Sequence, residues 1–179
     1  MPTVSKGKFS LSIGVAKLEA DLGEEDRQCA WELYTELSTR VAVTGKVSDP
    51  TCTDFTGELY YESLSSLYRF FQEARGIMRR FPVGRLPGFK EDHLGFIIAK
   101  MMAGTLRPFL EKWQVDYRHW WESCGDLKTP PLERQKAYPK IEEFLSDWAS
   151  VRFLMRQLQD ELVRVYGLVS IHDEPKQSD

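Results

Sequence analysis

The sequence predicts an all-α protein, an antiparallel bundle of about four main helices with an extended N-terminal arm. Three features carry that expectation. Two stretches repeat apolar residues at alternating spacings of three and four, a third long apolar stretch changes phase beside a proline, and strand-like alternation occurs convincingly only once. The chain has 179 residues, 42% hydrophobic and 28% charged, which suits one ordinary globular domain. The expected layout is an arm over residues 1–20, a bundle over 21–168 and a loose tail over 169–179.

In the arm, Phe9, Leu11, Ile13 and Val15 alternate with Ser10, Ser12 and Gly14, as in a strand with one apolar side. A lone strand leaves backbone donors and acceptors without partners. It must dock along the bundle, pair with a second copy, or add to a partner's sheet. Asp21 with Glu24 three residues later resembles a capping box opening the first helix, whose expected stripe is Ala30, Leu33, Leu37 and Val41. Gly45 and Pro50 end it.

The second helix follows Tyr60, Leu64, Leu67, Phe71, Ala74, Met78 and Phe81, and Pro82 and Gly84 close it. The third carries Leu94, Ile98, Met101, Met102 and Thr105 on one face, then Leu106, Leu110, Trp113, Tyr117 and Trp120 on another. Pro108 lies between the two phases and lacks the donor that would bond to Gly104, which predicts a kink over residues 104–108. Thr129, Pro130 and Pro131 mark a loop or short helical turn. The fourth helix, roughly 139–166, has the longest seam: Ile141, Phe144, Trp148, Val151, Met155, Leu158, Leu162 and Val165. Pro139 suits its first turn and Gly167 its left-handed stop.

Charge and cysteine content narrow the function classes. Twenty-four basic against 27 acidic residues give a net charge of −3, which argues against a surface shaped as a whole for nucleic acid. No 18-residue apolar run suggests a membrane span, and Met1 to Lys8 has no signal-like apolar core, so a cytoplasmic location is expected. Cys29, Cys52 and Cys124 are an odd, widely spaced set that frames neither a disulfide scaffold nor a zinc site. His119 and Glu122 have the spacing of two ligands on one helical face, but once and in reversed order for a di-iron bundle. No metal or cofactor is expected. No serine, cysteine or lysine lies in a nucleophile motif, and Thr44-Gly45-Lys46 lacks the rest of a phosphate loop.

Two sets of residues are left as candidate sites. Arg69, Arg75, Arg79, Arg80 and Arg107 could form an anion pocket or basic patch; from Arg69 to Lys90 six cations meet only Glu73. The competing reading pairs the helix arginines, including Arg40 and Arg152, with Glu36, Glu58, Glu73 and Glu111 to fix helix register. The basic loop Phe81 to Gly88 could likewise meet the acidic run from Glu19 to Asp26. The second set is an interface of Phe9, Leu11 and Ile13 with Trp120 and Trp121. Adjacent tryptophans on a helix point about 100° apart. At least one should therefore reach the surface, unless the loop at Pro130 to Leu132 covers it.

The stretch Ala30-Trp31-Glu32-Leu33-Tyr34-Thr35-Glu36-Leu37-Ser38-Thr39-Arg40, with Leu64-Ser65-Ser66-Leu67-Tyr68 and Leu106-Arg107-Pro108-Phe109-Leu110-Glu111-Lys112-Trp113, resembles a family of small uncharacterised bacterial proteins. The similarity covers roughly residues 9–122. It implies a bacterial, intracellular, helical protein and brings no activity. Members of that family place His-Pro directly after the tryptophan, where this chain has Gln114-Val115. The functional expectation is a non-enzymatic interaction or accessory subunit of a bacterial cytoplasmic complex, acting with a protein partner or as a homo-oligomer. The alternative is a nucleic-acid- or nucleotide-binding protein that uses the basic loop and the arginine cluster.

Overall fold

The computed structural model describes residues 24–80 and 94–170. The strand-like segment Phe9 to Val15, with the interface candidates Phe9, Leu11 and Ile13, lies outside the described residues. So do the loop Phe81 to Gly88 and the end of the expected tail. Among the described residues the protein is an all-helical bundle with no strand.

In chain order the elements are α1 (Glu24–Ser38), α2 (Val41–Thr44), α3 (Tyr60–Arg80), α4 (Leu94–Met101), a π-helical turn (Met102–Leu106), α5 (Arg107–Ser123), α6 (Pro131–Arg134), a 3-10 turn (Gln135–Ala137) and α7 (Ile141–Tyr166). Whether four main helices are counted depends on taking α4, the π turn and α5 as one piece.

Helix α7 is the hub. Phe144, Trp148, Val151, Met155, Leu158 and Leu162 of its predicted seam are buried, while Ile141 and Val165 at the ends are half-buried. Gly167 ends the helix in the left-handed region at φ 59°, ψ 39°, and its N–H donates to the Val163 carbonyl. Phe144 and Trp148 anchor an aromatic interior. Phe109 stacks on Phe144 at 6.2 Å, Trp113 lies 5.4 Å from it, and Tyr60 and Phe55 close on Trp148 at 6.3 and 5.6 Å. Offset and edge-on rings of this kind add to the stabilisation from burial alone.

Helix α1 buries Ala30, Leu33 and Leu37 as expected, together with Cys29 and Tyr34. Val41 departs from the stripe. The helix stops at Ser38, Arg40 is extended, and Val41 opens the separate α2 with 43% of its surface exposed. What α2 buries is Ala42, Val43 and Thr44. On α3 the seam drifts. Tyr60, Leu64, Leu67 and Ala74 are buried, but Phe70 and Ile77 join them while Phe71 and Met78 are only half-buried. A strict heptad drifts about 20° per repeat on a straight α-helix, so the inward face moves to neighbouring positions over 21 residues.

The change of phase near Pro108 coincides with the π turn. The Arg107 N–H bonds to the Met102 carbonyl five residues back, and Pro108, which has no N–H, stands in the first turn of α5. One extra residue in a turn rotates the following stripe by about 100°, which moves burial from Ile98 and Met101 to Phe109, Trp113 and Tyr117.

Candidate functional site

Inside the bundle, charged groups meet one another and backbone carbonyls, although Glu58 Oε1 and Arg152 Nη1 are buried without a hydrogen-bond partner. Arg152 of α7 is fully buried. Its Nη2 donates to Glu58 Oε2 at 2.5 Å, its Nε donates to the Ala42 carbonyl, and its guanidinium lies 4.0 Å from the Phe55 ring centroid. Burial pushes the Arg152 guanidinium below its usual range, and the Glu58 carboxylate opposes that shift. Glu58 also accepts from the Ser63 hydroxyl, and Gln135 donates to its carbonyl. One turn along α7, Arg156 donates to the carbonyls of Thr44 at 2.6 Å, Lys46 at 2.7 Å and Asp49, and so fastens the segment after α2. Gly45 turns there at φ 72°, and a Cβ on it would lie 3.3 Å from Arg156 Nη2.

The register reading of the helix arginines therefore holds at Arg152 with Glu58. Arg40, in the extended link after α1, pairs with Glu36 of α1 at 2.7 Å. Asp147, also buried, accepts from Trp113 Nε1 at 3.0 Å and from Lys112 Nζ at 2.8 Å.

The five arginines of the anion-site candidate fare differently. All are exposed, and two of them, Arg75 and Arg107, face each other across a groove of about 560 Å³ between α3 and the α4–π–α5 stretch. The two walls run antiparallel, since Tyr60 at the start of α3 meets Tyr117 near the end of α5. Tyr68, Phe71 and Met78 line one side of the groove, and Ala99, Met102, Ala103, Leu110 and Val115 line the other. Arg107 pairs with Glu111 at 2.7 Å along its own helix. Arg75 lies 5.7 Å from the Phe71 ring centroid. Arg80 pairs with Glu32 of α1, whose carboxyl is held below its ordinary range first by a hydrogen bond from Gln28 and then by that from Arg80. Arg69, Arg75 and Arg79 have no carboxylate partner among the described residues.

The groove itself is not visible in the sequence as such. Its α3 wall has a signal of its own: Tyr68, Phe71, Arg75 and Met78 at spacings of three, four and three, within about 80° of one another on a helix. The seam expected for α3 shares Phe71 and Met78 with that wall, which hides the second stripe.

Trp120 and Trp121 are both half-buried. Trp120 lies 5.1 Å from Tyr138, and Trp121 stacks on Tyr61 at 6.3 Å. The Arg134 guanidinium of α6 covers Trp121, 3.6 Å from its ring centroid, and is tethered to the Asp126 carbonyl at 2.8 Å. The cover of Trp121 thus comes from the element that follows Pro130. Nearby, the Tyr138 hydroxyl donates to Asp116, whose carboxyl is held low by that bond and by Lys140 Nζ at 3.0 Å.

A second groove, of about 670 Å³, runs between the segment Thr51 to Phe55 and the outer face of α7 at Leu145, Ala149 and Phe153. Among the described residues no group of three His, Cys, Asp or Glu side chains could hold a metal ion, and no helix is long and apolar enough to cross a membrane. Comparisons of the chain with protein-family models, curated proteins and solved structures find no match.

Proposed function

We propose that the protein is a non-enzymatic accessory subunit of a bacterial cytoplasmic complex and that it receives a partner protein in the groove between α3 and α5. The supporting observation is an apolar trough left open beside a well-filled core: Tyr68 is 40% and Val115 73% exposed at its edges. Methionine and aromatic side chains adapt to a partner's shape at modest entropic cost. The bacterial and cytoplasmic parts of the proposal rest on the family resemblance.

Site-specific photo-crosslinking in the source cell tests this reading. A photoreactive side chain at Ala103, which is exposed in the groove, gives a discrete adduct with another protein; the same probe at Leu127, which is 87% exposed in a loop, does not. Equal adducts at both positions, or none at Ala103, overturn the reading.

The nucleic-acid alternative is favoured by Arg69, Arg75 and Arg79, exposed together on α3. Salt-dependent binding of short RNA or DNA, lost in the Arg79→Ala, Arg80→Ala double variant, would decide for it.

A further inference from the structure

We infer that the occupant of the α3–α5 groove is an α-helix of the partner protein, apolar on one face and acidic along the edge that meets Arg75 and Arg79. The inference rests on the interaction reading above and specifies its ligand.

A helix follows from the walls. Tyr68 to Met78 spans eleven residues, a rise of about 15 Å of helix, or close to three turns. Their spacing of three, four and three is that of a seam which packs another helix. The facing wall supplies Ala99 and Ala103, small side chains that let a helix backbone approach. An extended peptide laid on the same apolar floor would bury backbone N–H and C=O groups with no partners, because the described residues offer no sheet edge. A helix satisfies those groups internally.

The acidic edge follows from asymmetric charge. On the α5 wall Arg107 is neutralised by Glu111 at 2.7 Å. Arg75 lines the α3 wall and Arg79 follows it one turn later, outside the lining; both are exposed and neither has a carboxylate partner among the described residues. Carboxylates at a helical spacing of three or four on the incoming helix would meet both guanidinium groups. A nucleic-acid backbone would meet the same cations, and a base could stack on Phe71 at most, leaving the aliphatic floor of Met78 and Leu110 uncovered.

The test uses the full chain and a fluorescein-labelled designed helix of about 15 residues, with leucine on one face and glutamate flanking it, in fluorescence anisotropy. A twin peptide carries lysine for every glutamate. The glutamate peptide should bind at least about ten-fold more tightly than the lysine twin, and the Arg75→Glu, Arg79→Glu double variant should reverse that preference. Ala103→Trp, which fills the groove, should weaken both peptides. Absence of binding, equal binding of the two peptides, a preference that survives charge reversal, or tighter binding of a short single-stranded DNA would each overturn the inference. The photo-crosslink at Ala103 separates the two levels. An adduct with another protein alongside a failed peptide test removes only the acidic helix; an adduct with residues 1–23 of the same chain, or with a second copy, removes the partner protein as occupant.

Discussion

On α7, Arg152 is buried and Arg156 half-buried, and they turn their donors to Glu58, to the Ala42 carbonyl and to three carbonyls between Thr44 and Asp49. On α3, Arg75 at the edge of the trough and Arg79 one turn further on stand at the surface, neither with a carboxylate partner among the described residues. The same side chain fastens distant parts of the chain in one region and leaves charge available in the other. Arginine count alone therefore says nothing about a binding site; what matters is which acceptors the fold brings within reach.

The comparison is broken most severely at Glu58. Glu58→Ala leaves the Arg152 guanidinium buried without its carboxylate and should cost about 3–5 kcal/mol in urea denaturation. The Glu58→Leu, Arg152→Met double variant should recover most of that loss, because both charges are gone and the volume is kept. A cost below about 1 kcal/mol for the single variant would show that Arg152 is not held as described.

A smaller effect is expected at Gly167, where nothing lies within 4 Å of an added Cβ but the backbone is left-handed. Gly167→Ala should cost about 1 kcal/mol from backbone strain alone, read as a shift in the urea midpoint with unchanged slope.

Acid should loosen the Arg156-fastened segment before the core. The Asp49 carboxyl is lowered from 3.8 to about 2, first by the Thr51 hydroxyl and then by the Asp54 N–H. Asp54 is lowered equally, to about 2, by Lys46 at 2.8 Å and the Thr56 N–H. A depressed carboxyl contributes stability above its unfolded value and loses it as pH falls through its folded one, so this contribution fades between about pH 4 and pH 2. Amide exchange over residues 45–56 should accelerate in that window while amides of α7 stay protected. Simultaneous loss of both would contradict the separation.

The smallest effect on stability sharpens the other side of the comparison. Arg75→Ala with Arg79→Ala should change unfolding free energy by no more than about 0.5 kcal/mol, since both are exposed and carry no ion pair among the described residues. A larger loss would mean that these arginines hold the fold as Arg152 does.

How much of this was legible beforehand depended on range. The α7 seam and its stop at Gly167 are periodic and local, so the bundle hub was readable from spacing. At Pro108 the sequence predicts a kink; what the fold has before the proline is a π turn, and spacing alone does not reveal it, because an inserted residue looks the same in sequence as a kink. Val41 misled because nothing like glycine or proline marks the break at Thr39 and Arg40. The partnership of Arg152 with Glu58, 94 residues apart, depends on the segment before α3 folding onto α7. The groove was hidden for a related reason. Each wall looks like an ordinary amphipathic helix until both are placed side by side.

The central claim is that the trough between α3 and α5 is where another molecule binds. The five methionines report on it directly, because Met78 and Met102 line the groove whereas Met155 is buried in the α7 seam. On titration with the glutamate-flanked helix, methyl-methionine NMR should show the Met78 and Met102 signals moving together while Met155 stays still. Movement of Met155 without the groove pair, or no movement of any methyl at saturating peptide, would contradict the account.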